Sequence, residues 1–228
     1  MLAASSACSR AACASLAEPA STTPLAETVN GLLEAARINS GKAQWNWGEV
    51  ALAETCEAAL ATIRPLVDPG QIALSLQVIP PGAHMQGDAN AIQRLIVNLV
   101  SNAQKHTQQG QIKVQVRFIS GDGVEEAEIQ VQDTGVGISP AIAERLGEAF
   151  ALNSGMVGTN HVKGTGLGMA ICKAIVAVHG GSLVVQSVVG EGTTITARLR
   201  ADLPGPLQEE GHVSFTGHSH DALAGATR

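Results

Sequence analysis

Gly164-Thr165-Gly166-Leu167-Gly168 stands downstream of Asp133-Thr134-Gly135-Val136-Gly137, which in turn follows Asn98-Leu99-Val100-Ser101-Asn102. Each stretch is weak by itself. An Asp-x-Gly-x-Gly run after a strand is usually a turn, a lone Gly-rich run is common, and a lone helical Asn more often bonds its own backbone. Their order in one chain says more than any one of them, and the elements around them show where each is held.

The segment from Asp88 to Thr107 places Ile92, Leu95, Ile96, Leu99, Val100 and Ala103 at helical spacing, with Asn98 and Asn102 on the other side. Upstream, Leu52, Cys56, Leu60 and Ile63 predict a helix over 49–64, and Ile72, Leu74, Leu76 and Val78 alternate as a half-buried strand. Downstream, the alternating runs 112–118 and 127–131 are joined through Gly121-Asp122-Gly123, which predicts a hairpin. Side chains of one parity share a strand face, so Asp133 is aimed at the same interior as Val131, where a carboxylate needs a partner. A short helix near 140–147, a Gly-rich stretch at 151–164, a helix carrying Leu167, Ala170, Ile171, Ala174, Ile175 and Val178, and strands near 182–188 and 193–200 complete the pattern. Ahead of all this, Leu25, Val29, Leu32, Leu33 and Ala36 predict an amphipathic helix ending near Ser40-Gly41. From Leu203 onward Pro, Gly, His and Ser dominate, and a disordered tail is expected.

Composition narrows the function. The chain of 228 residues is 45% hydrophobic, enough to fill the core of one ordinary domain with flanking pieces. Aromatics are 2%, with no Tyr, which leaves little base-stacking surface, and the net charge is −6, so a nucleic acid or an anionic membrane is not the expected partner. No apolar run reaches the roughly 20 residues of a membrane span. The four cysteines lack paired metal-ligand spacing, and Cys56 and Cys172 fall at apolar helical positions as reduced core residues. A soluble, reducing, cytoplasmic setting fits. The Ala- and Ser-rich start, with Arg10 its only basic residue before Glu18, suits an organelle (plastid) transit peptide or a merely disordered terminus.

The motifs describe a pocket for ATP and magnesium. Asn98 and Asn102 lie at i and i+4 on one helix face, and an Asn carbonyl oxygen is a hard, neutral ligand for a magnesium ion otherwise held by waters and phosphates, which makes Asn102 the metal candidate. Asp133 with Gly135 and Gly137 offers a buried acceptor for an adenine amino group beside backbone that a flat ring can approach. Gly164, Thr165, Gly166, Leu167 and Gly168 open a helix whose free amides suit phosphate oxygens. Lys105, a turn after Asn102, and Lys163, just before Gly164, are cations for the phosphates, with solvated surface lysines as the alternative.

With those residues in view, the chain resembles the catalytic, ATP-binding domain of sensor histidine kinases. The likeness spans residues 46–200 and rests on Asn98 to Thr107, Asp133-Thr-Gly-Val-Gly137, Phe150 in Glu148-Ala-Phe150, Gly164-Thr-Gly-Leu-Gly168-Met-Ala and Gly190-Glu-Gly-Thr-Thr194. The resemblance implies a Bergerat-type α+β fold, a two-layer sandwich of a mixed sheet backed by helices, here preceded by one isolated amphipathic helix. It implies that Asn102 binds magnesium, that Asp133 takes the adenine amino group with Ile138 and Thr193 nearby, that Phe150 packs at the base of a lid, and that 151–163 form that lid. It divides the chain into a disordered or targeting start (1–24), a remnant of the second helix of a dimerisation hairpin (25–45), the ATP-binding domain (46–202) and the tail (203–228). His179 in His179-Gly-Gly181 reads as structural, ending a helix, and His106 stands where the family often has an aromatic residue.

Asn98 discriminates within the superfamily. In gyrase-like topoisomerases, ninety-kilodalton heat-shock chaperones, mismatch-repair ATPases and anti-sigma serine kinases, the resemblance places a Glu there that activates water or a hydroxyl. An amide has no useful basicity near neutral pH, so Asn98 fits a kinase whose acceptor is an imidazole, with a role in ordering magnesium-bound water or phosphate. No His precedes His84, so the family's phosphoacceptor is not visible on a helix before residue 25. The expected activity is transfer of the γ-phosphate to a His on a dimerisation helix outside this chain, either in trans or within a longer protein, with a response regulator downstream and pairing through the 25–40 helix. The alternatives are a nucleotide-binding regulatory module that transfers nothing, and a serine kinase or ATPase of the same fold.

Overall fold

The computed structural model describes residues 42–121, 123–139, 167–207 and 212–215, together with Leu33 and 36–38. Strand β1 (Trp47–Ala51) leads into helix α1 (Leu52–Ile63) and a single 3₁₀ turn at Arg64–Leu66; β2 (Ile72–Ile79) and β3 (His84–Asp88) precede α2 (Ala89–His106). The hairpin β4 (Gly110–Gly121) and β5 (Val124–Asp133) comes next, and then α3 (Leu167–Val178), β6 (Ser182–Val188), β7 (Gly192–Arg200) and β8 (His212–Phe215).

Six strands form one mixed sheet in the order β2-β4-β5-β7-β6-β8, with parallel pairs at the two edges and antiparallel pairs between; β1 and β3 make a separate antiparallel pair. Alternation explains the layers. Ile112, Val114 and Val116 of β4, Ala127, Ile129 and Val131 of β5, Ile195, Ala197 and Leu199 of β7, and Leu183 and Val185 of β6 are buried in one core with the apolar stripes of α1, α2 and α3. The opposite face carries polar side chains, among them Gln115 bonded to Gln77 and Gln130 bonded to Thr196. On that face Glu128 is only 2% exposed, because Arg117 and Arg198 on the flanking strands close over it and hold one carboxylate oxygen each. Together they hold its carboxyl below the usual carboxylate range despite the burial.

The predicted hairpin, the strand marked by Ile72 to Val78, the helix ending at Thr107 and the strands near 182–188 and 193–200 are present. Two regions differ from expectation. The helix predicted from residue 49 begins at Leu52, because Trp47–Ala51 pairs with the unpredicted strand His84–Asp88 and Ala51 ends in extended backbone. Residues 203–207 and 212–215, expected in a disordered tail, are structured: Leu203 is buried, Leu207 donates its N–H to the Val178 carbonyl, and β8 lies along β6. Backbone pairing with an open edge strand needs no apolar periodicity, which is why composition missed it. Of the amphipathic helix predicted at 25–40, Leu33 and 36–38 are helical, and the Lys42 N–H closes on the Arg37 carbonyl at 2.9 Å, a closure of the kind that ends helices. The rest of that helix, the short helix at 140–147 and the lid lie outside the described residues. Cys56 and Cys172 are reduced and fully buried, and burial pushes both thiols up to about 12. Among the described residues, no helix is long and apolar enough to cross a membrane.

Candidate functional site

The site is assembled at the ends of β5, β6 and β7 against α2 and the start of α3. Strand parity puts Asp133 at the last position of β5 with its side chain inward, 8% exposed, directly opposite Thr193 of β7. The carboxylate is held locally: Oδ1 accepts the Gly135 N–H at 2.9 Å, and the Thr193 backbone N–H also donates to it. Burial is the larger influence, and it raises the Asp133 pKa above the usual carboxylate value in spite of these donors and of the nearby His106.

The turn after Asp133 is packed so closely that only glycine fits. A Cβ on Gly135 would run into the backbone carbonyl of His106, and one on Gly137, whose φ is +69°, would run into the carbonyl of Val188. Across the sheet, a Cβ on Gly192 would meet the carbonyl of Asp133 itself. Backbone bonds stitch this turn to its neighbours: Val136 N–H to the His106 carbonyl at 3.2 Å, Gly190 N–H to the Val136 carbonyl at 2.9 Å, and Ile138 N–H to Ser187 Oγ at 2.8 Å. Ser187 in turn lies 2.9 Å from Thr193 Oγ1 and donates to the Gly192 carbonyl. Ser187 is not legible in the sequence, since a Ser at an inward position of a strand carries no signal until its partners are known. His106, whose contribution was open, lies close enough to Asp133 for the carboxylate to act on its charge. Burial lowers the imidazole pKa, Asp133 opposes that, and Lys105 adds to it.

Helix α2 supplies the second wall. Asp88 is its N-cap, accepting the Ala91 N–H at 3.0 Å, so the helix starts in a register that puts Leu95, Ile96 and Leu99 in the core and leaves Asn98 and Asn102 half-buried on another face. Lys105 is exposed one turn on. Asn98 reaches α3: its Oδ1 lies 3.3 Å from where a Cβ on Gly168 would sit, while its Nδ2 is buried with no hydrogen-bond partner among the described residues. A buried amide donor without a partner costs about 1–3 kcal/mol, and this one belongs to the side chain that packs on Gly168. Leu167 is buried at that start. Phe150, Lys163, Gly164, Thr165 and Gly166 lie outside the described residues.

The residues present therefore suit a nucleoside triphosphate in two respects: a buried carboxylate set in a turn whose backbone leaves no room for Cβ atoms, and an Asn98 amide that stands beside Gly168 with its donor unpartnered among the described residues. The structure brings Asn98, Gly168 and Leu167 into one group and Asp133, Gly135, Gly137, Ile138 and Thr193 into another. Asn102 and Lys105 follow on the helix that passes both, its last residue His106 lying against the turn of the second group.

Residues 87–203 match the family model described as histidine kinase-, DNA gyrase B- and HSP90-like ATPase. The chain is 36% identical over 176 residues to the histidine protein kinase DivJ of Caulobacter vibrioides, an alignment that covers 77% of this chain and 28% of that protein. It is 32% identical to the autoinducer 2 sensor kinase/phosphatase LuxQ of Vibrio cholerae, over 78% of this chain and 21% of that one. The chain thus spans about a third or less of the length of these relatives. Among solved structures, full-length ShkA in complex with AMPPNP superposes with a TM-score of 0.67 at 24% identity, covering 81% of this chain and 38% of that one. The histidine kinase AdeS of Acinetobacter baumannii gives 0.64 at 17% identity over 78% of this chain and 79% of that one. These two similarities establish the fold.

Proposed function

Given that this chain belongs to the histidine kinase-, DNA gyrase B- and HSP90-like ATPase family, we propose that it is the ATP-binding catalytic domain of a two-component kinase, passing the γ-phosphate of ATP to a histidine on a dimerisation helix supplied by another segment or chain. The observation that carries this reading is Asn98, four residues before Asn102, with its Oδ1 beside Gly168 of α3 and its Nδ2 buried without a hydrogen-bond partner among the described residues. A carboxylate there would activate water. An amide cannot take a proton, and it suits an acceptor that brings its own lone pair.

In this reading the buried Asp133 accepts the adenine amino group and the Gly135–Gly137 backbone lies along the ring. Asn98 donates to phosphate or to phosphate-bound water, and Lys105 neutralises phosphate charge. Asn102, through its side-chain carbonyl oxygen, would hold magnesium, which when bound draws charge from the phosphate oxygens. A neutral imidazole nitrogen forms the new N–P bond as the bond from the γ-phosphorus to the bridging oxygen of ADP breaks, ADP departs, and the other ring nitrogen sheds its proton. The protein contributes position and charge neutralisation, which is most of what phosphoryl transfer requires. A downstream response regulator is the expected consumer of the phosphate.

The test is transfer of labelled γ-phosphate from ATP with magnesium, with and without a separate dimerisation hairpin carrying an acceptor His. Acid-labile, alkali-stable label on the hairpin supports the proposal. Tight ATP binding with no label on any acceptor hairpin offered would replace it with a nucleotide-gated binding module.

A further inference from the structure

At the end of α2 opposite Asn102 a buried cluster joins four parts of the chain. Asp88 is 5% exposed and splits its carboxylate: Oδ1 caps α2 through the Ala91 N–H, and Oδ2 accepts the Asn46 N–H at 2.6 Å. Its own N–H donates to His179 Nε2 at 3.2 Å, and His179 Nδ1, which then carries the ring proton, donates to the Ile175 carbonyl at 2.8 Å at the end of α3. The imidazole has no exposed surface and stacks on Trp47, with centroids 4.7 Å apart and planes at 27°, while Trp47 Nε1 donates to the Leu203 carbonyl. A Cβ on Gly87 would come within 3.0 Å of His179 Nε2, so the ring has little room to shift. These polar atoms are partnered, which makes the cluster a joint and leaves it no ligand to bind.

What the joint connects is informative. The segment that follows the helical residues 36–38 enters the domain at Asn46, and α2 and α3 run antiparallel from the joint to the nucleotide site. Their contacts step along both helices, from Asp88 with His179, through the Cys172 thiol near the Leu95 carbonyl at 3.9 Å, to Asn98 with Gly168. Asn98 lies about 15 Å along α2 from Asp88, at 1.5 Å per residue.

We infer that Asp88 is a positioning residue that couples the segment entering the domain at Asn46 to the two helices of the nucleotide site. This rests on the nucleotide-site reading above. Because one carboxylate serves both the entering strand and the α2 cap, the strand cannot move at Asn46 without loading the helix that carries Asn98 and Asn102. Its amide passes the same load through His179 to α3. Close-packed helices shift as units, and the coupling is reciprocal, so a nucleotide that orders the far ends of α2 and α3 must also tighten Asn46.

The experiment is amide hydrogen exchange on the full chain and on Asp88→Asn, which retains one carbonyl oxygen for the Ala91 N–H and loses the second acceptor for Asn46. A second variant, Asn46→Pro, removes the donated N–H and leaves Asp88 untouched. Without nucleotide, coupling requires each variant to exchange several-fold faster at 43–48 and also at 96–102 and 167–170, with the β4–β5 hairpin unchanged. Acceleration confined to 43–48, or spread evenly over the hairpin as well, overturns it. With AMPPNP and magnesium at saturation by calorimetry, the parent should slow at 43–48, and the variants should bind within about twofold yet fail to slow there. A saturated parent with no change at 43–48 overturns the inference. A parent that binds no nucleotide strikes the site reading instead, and the nucleotide-free comparison still decides the coupling.

Discussion

Replacing Asp133 by Asn should separate adenine recognition from folding. In the parent, the Gly135 N–H and the Thr193 N–H already donate to the carboxylate, and an adenine amino group would be a further donor converging on the same two oxygens. The amide keeps one oxygen and turns the other position into a donor, so one of these donors must lose its acceptor whichever way the group is flipped. A buried hydrogen-bonding group left unpaired costs about 1–3 kcal/mol, which is roughly 5- to 150-fold in affinity at 1.4 kcal/mol per factor of ten. Stability should respond less. Burial is the larger influence on Asp133 and raises its pKa, so the unfolded chain ionises first. The folded state is then penalised as pH rises through the folded-state value, and at neutral pH a neutral amide relieves that penalty while losing an acceptor. Calorimetry with ATP and magnesium, paired with urea unfolding of the ligand-free chain, reads the two quantities. Parent-like affinity would show that Asp133 is not the adenine acceptor, and parallel losses of affinity and stability would show that the carboxylate is a structural clamp.

Gly137→Ala should destabilise by roughly 2–5 kcal/mol, because a side chain at φ +69° costs about 1–2 kcal/mol and the Cβ meets the Val188 carbonyl, an overpacking that costs about 1–3 more; urea denaturation with unchanged stability would mean that the turn is not built as described. Asn98→Leu should raise the stability of the nucleotide-free chain by about 1 kcal/mol or more, by removing a buried donor that has no partner among the described residues, and should abolish transfer to an added hairpin. A destabilised Leu variant would indicate that the amide has a partner in the folded chain. His179 and His106 both have pKa values lowered by burial, so the unfolded chain binds their protons first as pH falls below the ordinary imidazole value near 6.5. Stability should therefore be full above about pH 7 and decline below 6.5, with a slope of at most about 1.4 kcal/mol per pH unit for each histidine. His179→Gln should flatten that decline in urea titrations at successive pH values, and an unaltered slope would assign the effect elsewhere.

Elements with strong periodicity could be read from sequence. The β4–β5 hairpin followed from alternation on either side of Gly121-Asp122-Gly123, and the inward aim of Asp133 followed from its parity with Val131, as its burial bears out. Strands β1 and β3 could not be read, because five residues each, including Gly48, Gly87 and Asp88, show no alternation, and the Ala-rich stretch beyond Val50 looks helical from either side. The site was legible where one residue type has one use, as with Gly135 and Gly137. Ser187 and His106 became visible only with their neighbours, since a hydroxyl or an imidazole takes its meaning from what lies within 3 Å of it.

The Arg117–Glu128–Arg198 row constrains how this sheet can vary. Losing Glu128 leaves two guanidinium groups on strands either side of an empty position, and losing one arginine leaves a carboxylate with half its partners gone. Each single step out of the row is therefore worse than the two- or three-residue exchange that would replace it with uncharged side chains. Drift on this face should proceed by paired substitutions at strand-adjacent positions, and in a library of random variants these three sites should show strong epistasis while the nearby glutamines vary independently.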